Sequence, residues 1–172
     1  VQYLRDVLLP ENYADVYELM FRLRRNDVKL LVECGMGTNN PNLRSTMGSS
    51  GKPGASLRLW RDYFKNANII GIDIDREILF QEDRITTFHC DQTSQKSISK
   101  FVQDASLGNA SCDIIIDDGL HEFHAGKTLF EGLINFLTDD GIYVIEDVNH
   151  VDYISYKDYF LELSDIYSAH FF

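Results

Sequence analysis

Two acid pairs and a histidine stand out in the second half of the chain: Asp117-Asp118, His121 three residues on, and Glu146-Asp147. Each pair follows a short apolar run, so each is expected at a strand end. Neighbouring strands lie about 5 Å apart, which would bring Asp118 near Glu146 and Asp147. Three ionised carboxylates there repel strongly without a counter-charge. A hard divalent cation held by oxygens relieves the repulsion, and Mg²⁺ suits a shell completed by water and substrate oxygens. Asp118, Glu146 and Asp147 are thus the expected metal ligands. His121 is then placed to take a proton from a substrate hydroxyl held at the metal. The alternative is that Asp117 and Asp118 cap the next helix and His121 lies on the surface. His124 is either a second ligand or a solvated helix position. His89 and His170 fall within strand patterns and read as structural.

A second group lies earlier. Glu33-Cys34-Gly35-Met36-Gly37 ends another apolar run, and its glycines let backbone approach a ligand closely. Asn40 stands where a dinucleotide fingerprint would carry a third glycine, and no Gly-Lys-Ser/Thr follows, so a P-loop is excluded. Asp73 ends the next apolar run, placed to accept hydrogen bonds from ribose hydroxyls. Its distance from Gly37 exceeds the usual ~20 residues, which a loop insertion absorbs. Asp91 is expected to face the edge of an adenine. For Asp73 and Asp91 the alternative is a helix cap or turn acid.

The positioning elements follow from hydrophobic period. Residues 11–25 read as a helix with Val16, Leu19, Met20 and Leu23 on one face, within an N-terminal helical segment, 1–27. Residues 28–34, 68–74, 85–89, 112–117 and 141–146 read as strands, and 166–172 as the opening of a sixth. Helices are expected at 55–64 (Leu57, Trp60 and Phe64 on one side), 76–80, 94–104, 123–137 and 155–163. Ile114-Ile115-Ile116 and similar runs imply burial on both sheet faces, hence parallel strands. Alternating strands and helices give a doubly wound, mostly parallel α/β sheet, whose ligands bind at the carboxyl ends of the strands. Every proposed strand but the last ends in carboxylate. Residues 38–54, rich in Asn, Ser, Gly and Pro, read as a long loop insertion, which in a compact domain is usually functional.

At 172 residues the chain suits one domain, 1–172. Its formal net charge of −11 disfavours a partner recognised by neutralising phosphates, so no nucleic acid is expected. No apolar run approaches the roughly 18 residues of a membrane span. The start shows no signal-peptide pattern. Cys34, Cys90 and Cys112 have no metal-site spacing and read as reduced, buried residues, which fits the cytoplasm. The first residue, Val1, reads as that of a fragment.

Several of these segments, in order, resemble a known family. Glu33-x-Gly35-x-Gly37 resembles motif I of class I S-adenosylmethionine (SAM)-dependent methyltransferases. The runs are Gly54-Ala55-Ser56-Leu57-x-x-Trp60-x-x-Tyr63-Phe64, Gly71-Ile72-Asp73-Ile74, Asp91-Gln92, Ile115-Ile116-Asp117-Asp118-Gly119-x-His121 and Gly141-Ile142-Tyr143-Val144-Ile145-Glu146-Asp147. Together they resemble macrolide-sugar O-methyltransferases of the macrocin and mycinamicin type and the rhamnosyl O-methyltransferase/cephalosporin hydroxylase-like group, over roughly residues 30 to 150. The resemblance implies a Rossmann-like class I fold and a SAM site including Glu33, Gly35, Gly37, Ser56, Asp73, Asp91 and Asp117. It also implies Mg²⁺ on Asp118, Glu146 and Asp147, and His121 as general base. The implied reaction is attack of a small-molecule hydroxyl, a sugar of a natural product, on the sulfonium methyl. Two departures stand out. Leu120 replaces the usual Ser before His121, and the chain stops where a sixth strand opens, so the sheet reads as truncated. An open edge of this kind would be covered in a homo-oligomer. A nucleotide-dependent oxidoreductase and a non-catalytic SAM-binding scaffold are the competing readings. Asp-Asp-Gly-Leu-His, where nucleic-acid aminomethyltransferases carry Asn/Asp-Pro-Pro-aromatic, disfavours that class. Tyr143, Tyr153 and Tyr156 are candidates for an acceptor pocket, with core packing the alternative for Tyr143.

Overall fold

The computed structural model of the chain describes residues 13–108 and 111–170. In chain order the elements are α1 (Tyr13–Phe21), β1 (Leu30–Cys34), α2 (Ala55–Tyr63), β2 (Asn68–Asp73), β3 (Gln81–Glu82) and β4 (Ile85–His89). They continue with α3 (Gln95–Asp104), β5 (Cys112–Asp117), α4 (Phe123–Leu133), β6 (Leu137–Ile145) and α5 (Tyr153–Glu162). The six strands form one sheet in the order β3-β4-β2-β1-β5-β6. All its pairs are parallel except β3 with β4.

Alternation along the strands builds a core on each face, as strands buried on both sides require. Leu31, Ile69, Ile114 and Ile116 pack with Leu57, Trp60 and Phe64 of the α2 segment and with Tyr17 and Phe21 of α1. Val32, Ile70, Ile72 and Ile115 pack with Ile98 and Phe101 of α3 and Leu129 and Leu133 of α4. All three cysteines are free and buried. Among the described residues, no helix is long and apolar enough to cross a membrane.

The register carries the functional consequence. Cys34 pairs with Ile72 on one side and Asp117 on the other, Asp73 with His89, and Asp117 with Ile145. The acids that follow or end these strands therefore line one edge.

Four expectations need correction. Helix α1 buries Tyr17 and Phe21, whereas Leu19 and Leu23 are 55% and 86% exposed. The reason is aromatic: Phe21 and Tyr17 meet the Trp60 ring at 6.2 and 4.8 Å. The helix read as 123–137 stops at Leu133, followed by a 3-10 turn Ile134–Phe136. Leu137 pairs with Cys112, and an irregularity carries the polar stretch before Ile142 out of the ladder. The short helix at 76–80 is a 3-10 turn, Arg76–Ile78, capped by Asp75. There is no strand at 166–170: the turn after α5 ends at Ile166, with Ile166 and Tyr167 bonded back to Leu163, and 167–170 is irregular; Phe171 and Phe172 lie outside the described residues. So do residues 1–12, which include the proposed start of the first helix.

Candidate functional site

The sheet's hydrogen-bond pattern runs past the strand ends and fixes the turns that carry the acids. Gly35 N donates to Ile72 O, Asp118 N to Cys34 O, and Glu146 N to Asp117 O, each at 2.9 Å. The positions with left-handed backbone beyond the strands include Gly35 at φ +89°, His121 at +59° and Asp147 at +48°. Non-glycine residues in that region are uncommon and, as single observations, point to a constrained or functional turn.

Asp118, His121 and Asp147 each offer a ligand atom, and these atoms lie within 4.8 Å of one another. Glu146, expected as a third acidic ligand, lies outside this group and accepts a hydrogen bond from Tyr17 Oη through Oε1. Asp147 Oδ1 accepts one from Tyr13 Oη. His121 Nδ1 is buried with no hydrogen-bond partner. The His121 carbonyl accepts from Asn149 Nδ2 at 2.9 Å, which ties its turn to the segment after β6.

Asp118, Glu146 and Asp117 are held above the ordinary carboxylate range. Burial pushes Asp118 up to about 7, with the charges of Glu146, Asp147 and Asp117 adding to it. Burial likewise raises Glu146, with its Tyr17 hydrogen bond opposing. Asp117, 3% exposed, is pushed up to about 6 by burial, against the Gln92 amide and the Gly119 N–H. Its Oδ1 accepts from Gln92 Nε2 at 3.0 Å, and Oδ2 is buried without a partner. The same Gln92 accepts from Leu120 N at 2.7 Å, so one side chain braces both ends of the turn bearing Asp118.

Glu33, Gly37, Asp73 and Asp91, also singled out from the sequence, lie near or just past the ends of β1, β2 and β4. Glu33, 2% exposed, accepts hydrogen bonds from Ser56 Oγ and Trp60 Nε1. Burial nevertheless pushes it up to about 8, with Asp118 and Glu146 contributing. Gly37 (φ +77°) follows Gly35 in the turn. Asp73 fastens that turn to β2: Oδ2 accepts from Met36 N and Oδ1 from Asp75 N, both at 2.8 Å. Asp91 closes a local turn with Thr93 N at 2.9 Å and Thr93 Oγ1 at 2.7 Å. Asp75, buried and accepting from Thr38 Oγ1, joins the site from the long loop's side. Tyr143 packs edge-on against Phe130 at 5.1 Å, and Tyr156 is buried against Phe123 at 5.0 Å.

These shifts have a testable sign. Glu33, Asp117, Asp118 and Glu146 all have folded pKa values above their ordinary ones. Between the two values the folded chain holds more protons than the unfolded chain, so stability falls as pH rises. The loss is at most about 1.4 kcal/mol per pH unit for each such proton. Thermal melts in EDTA are expected to show a lower Tm near pH 8 than near pH 5. Glu33→Gln should flatten the upper part of that slope. A Tm that climbs over this range contradicts the burial of these acids.

No protein-family model matches the chain. A Streptomyces olivaceus 8-demethyl-8-(2-methoxy-alpha-L-rhamnosyl)-tetracenomycin-C 3'-O-methyltransferase is 35% identical over 138 residues, 79% of this chain and 32% of that protein. Demethylmacrocin O-methyltransferase of Streptomyces fradiae is 33% identical over 133 residues, 77% of this chain and 30% of that protein. Among solved structures, the MycE methyltransferase of the mycinamycin biosynthetic pathway, in complex with Mg and SAH, superposes with a TM-score of 0.64 at 28% identity. That match covers 82% of this chain and 33% of the other. The chain thus spans about a third of the length of the curated relatives it matches.

Proposed function

This chain has the class I methyltransferase fold and is homologous to macrolide-sugar O-methyltransferases over the third of their length that it spans, and on that premise we propose that it transfers a methyl group from SAM to a hydroxyl of a small molecule, a sugar, with the help of a divalent cation. The observation that carries this reading is the convergence of Asp118, His121 and Asp147 within 4.8 Å, beside a glycine turn at the carboxyl edge of a parallel sheet.

The residues fit a hard cation. Asp118 and Asp147 offer oxygens, Glu146 adds a third carboxylate alongside, and burial together with their crowding raises the Asp118 pKa, a charge strain that a positive ion would relieve. When bound, the cation acidifies and orients the acceptor hydroxyl, and SAM supplies the electrophilic methyl group. Asp118 and Asp147 would hold the cation. The turn 35–37 lets main chain approach the methionine portion of the donor, with Glu33, Ser56 and Trp60 as a bonded polar wall behind it. Asp73 and Asp75 close the ribose side, and Asp91 the adenine side. His121 accepts the proton as the acceptor oxygen bonds to the methyl carbon and the carbon–sulfur bond breaks, leaving S-adenosylhomocysteine (SAH). Its unpartnered, buried Nδ1 leaves ring capacity free for that task. A sugar acceptor is favoured by the relatives, whose names specify a rhamnosyl tetracenomycin and demethylmacrocin.

Calorimetry tests the reading. SAM is expected to bind, with a separate heat for Mg²⁺ that disappears in EDTA and in Asp118→Ala, while NAD gives none. Asp118→Ala should keep its SAM heat. Absence of a SAM heat in the unaltered protein overturns the proposal.

A further inference from the structure

The acid pair at the end of β6 is held from an unexpected direction. Tyr13 and Tyr17 are four apart on α1, so their side chains share a helix face. Tyr17 Oη donates to Glu146 Oε1, and Tyr13 Oη donates to Asp147 Oδ1 while accepting from Asp147 N at 3.3 Å. Two consecutive phenols of one helix face thus grip two consecutive carboxylates over 100 residues away in the chain.

The choice of donor matters. A Lys or Arg here would neutralise the acids and compete with a cation. A phenol fixes one oxygen of each carboxylate and leaves both negative charges and both second oxygens in place. The grip is also rigid. The Tyr17 ring, 9% exposed, stacks on Phe21 at 5.4 Å and meets the edge of Trp60 at 4.8 Å. Asp147 has left-handed backbone, a conformation that persists where surrounding contacts over-determine it.

We propose that Tyr13 and Tyr17 are positioning residues of the cation site, and that α1 acts as a strap that aims Glu146 and Asp147. The proposal rests on the metal reading above. Outer groups that orient ligand side chains are typically worth about 10–100-fold in metal affinity, and the two phenols are assigned that role.

Mn²⁺ serves as the probe, with free ion counted by electron paramagnetic resonance in the presence of SAH. The double variant Tyr13→Phe/Tyr17→Phe is expected to bind Mn²⁺ about 10–100-fold more weakly, with its SAH affinity unchanged. Phe keeps each ring, so the aromatic cluster stays filled. Tyr13→Phe alone, at a half-exposed position, is expected to lose about tenfold and serves as the measurement should the double variant misfold. Tyr63→Phe is the control: it removes a phenol from the same cluster, but its Oη donates to Glu18 at 2.7 Å and touches neither acid, so Mn²⁺ affinity should not change. The single tryptophan, Trp60, lies against Tyr17, so its fluorescence should respond to Mn²⁺ in the unaltered protein and respond less in the double variant. Equal Mn²⁺ affinity in the unaltered protein and in Tyr13→Phe overturns the strap and leaves the metal reading standing. No Mn²⁺ binding by the unaltered protein overturns both.

Discussion

His121→Asn is expected to lower methyl-transfer turnover by about 10²–10⁴-fold, the range a positioned general base contributes, while leaving SAM affinity intact. Asn is the right replacement for a physical reason. His121 sits at φ +59°, and Asn is among the few non-glycine residues that adopt this region readily. The turn from Asp118 to Glu122 therefore survives, as does the hydrogen bond from Asn149 to the residue's carbonyl. What is lost is the ability to accept a proton at the edge of the group formed with Asp118 and Asp147. The assay is release of SAH with a panel of rhamnosides and related deoxysugar glycosides as acceptors, paired with SAM calorimetry on the same preparation. Turnover within tenfold of the unaltered protein would assign the proton to another group. Loss of SAM binding together with turnover would show that the substitution had collapsed the turn and that the variant does not isolate the base.

Much of this architecture was legible from residue types because it depends on local pattern. β1, β2 and β5 are short apolar runs buried on both faces, and such runs announce themselves wherever they occur. The rule that ligands bind at the carboxyl ends of parallel strands then gathered Glu33, Asp73, Asp117, Asp118, Glu146 and Asp147 at one edge, and the register places them there. What escaped depends on distant partners. Helical period alone favoured the aliphatic Leu19 and Leu23, yet Tyr17 and Phe21 are buried because Trp60 lies across the gap. The start of β6 is disguised by Thr138-Asp139-Asp140, which sit in a ladder irregularity and so break the apolar run that marks a strand. Gln92 was visible only as the neighbour of Asp91; its brace on Asp117 and Leu120 requires the fold. A spacing of four between Tyr13 and Tyr17 was the one local hint of the strap, and nothing in the sequence says which residues those phenols meet.

Gly35→Ala is expected to cost more than about 4 kcal/mol of folding stability, a magnitude reserved for substitutions with a specific structural cause. Gly35 has φ +89°, where a side chain is already strained by about 1–2 kcal/mol. Here the strain is the smaller part. An added Cβ would lie 2.1 Å from the Asp118 carbonyl oxygen, 2.6 Å from its carbon and 3.0 Å from Gly119 Cα. All three are main-chain atoms, and none belongs to a flexible side chain that can swing aside. Neither partner can retreat cheaply, since Gly35 N is bonded to Ile72 O and Asp118 N to Cys34 O, both at 2.9 Å. Relief therefore means breaking a bond that continues the sheet, or displacing Asp118 and the site with it. Gly48→Ala separates strain from clash: Gly48 has φ +72° but nothing within 4 Å of the added carbon, so it should lose only the strain component, about 1–2 kcal/mol. Urea unfolding of the two variants measures the difference. Equal losses would mean that the turn at Gly35 can open without cost, and that its contact with the Asp118 main chain does not tie the two turns together.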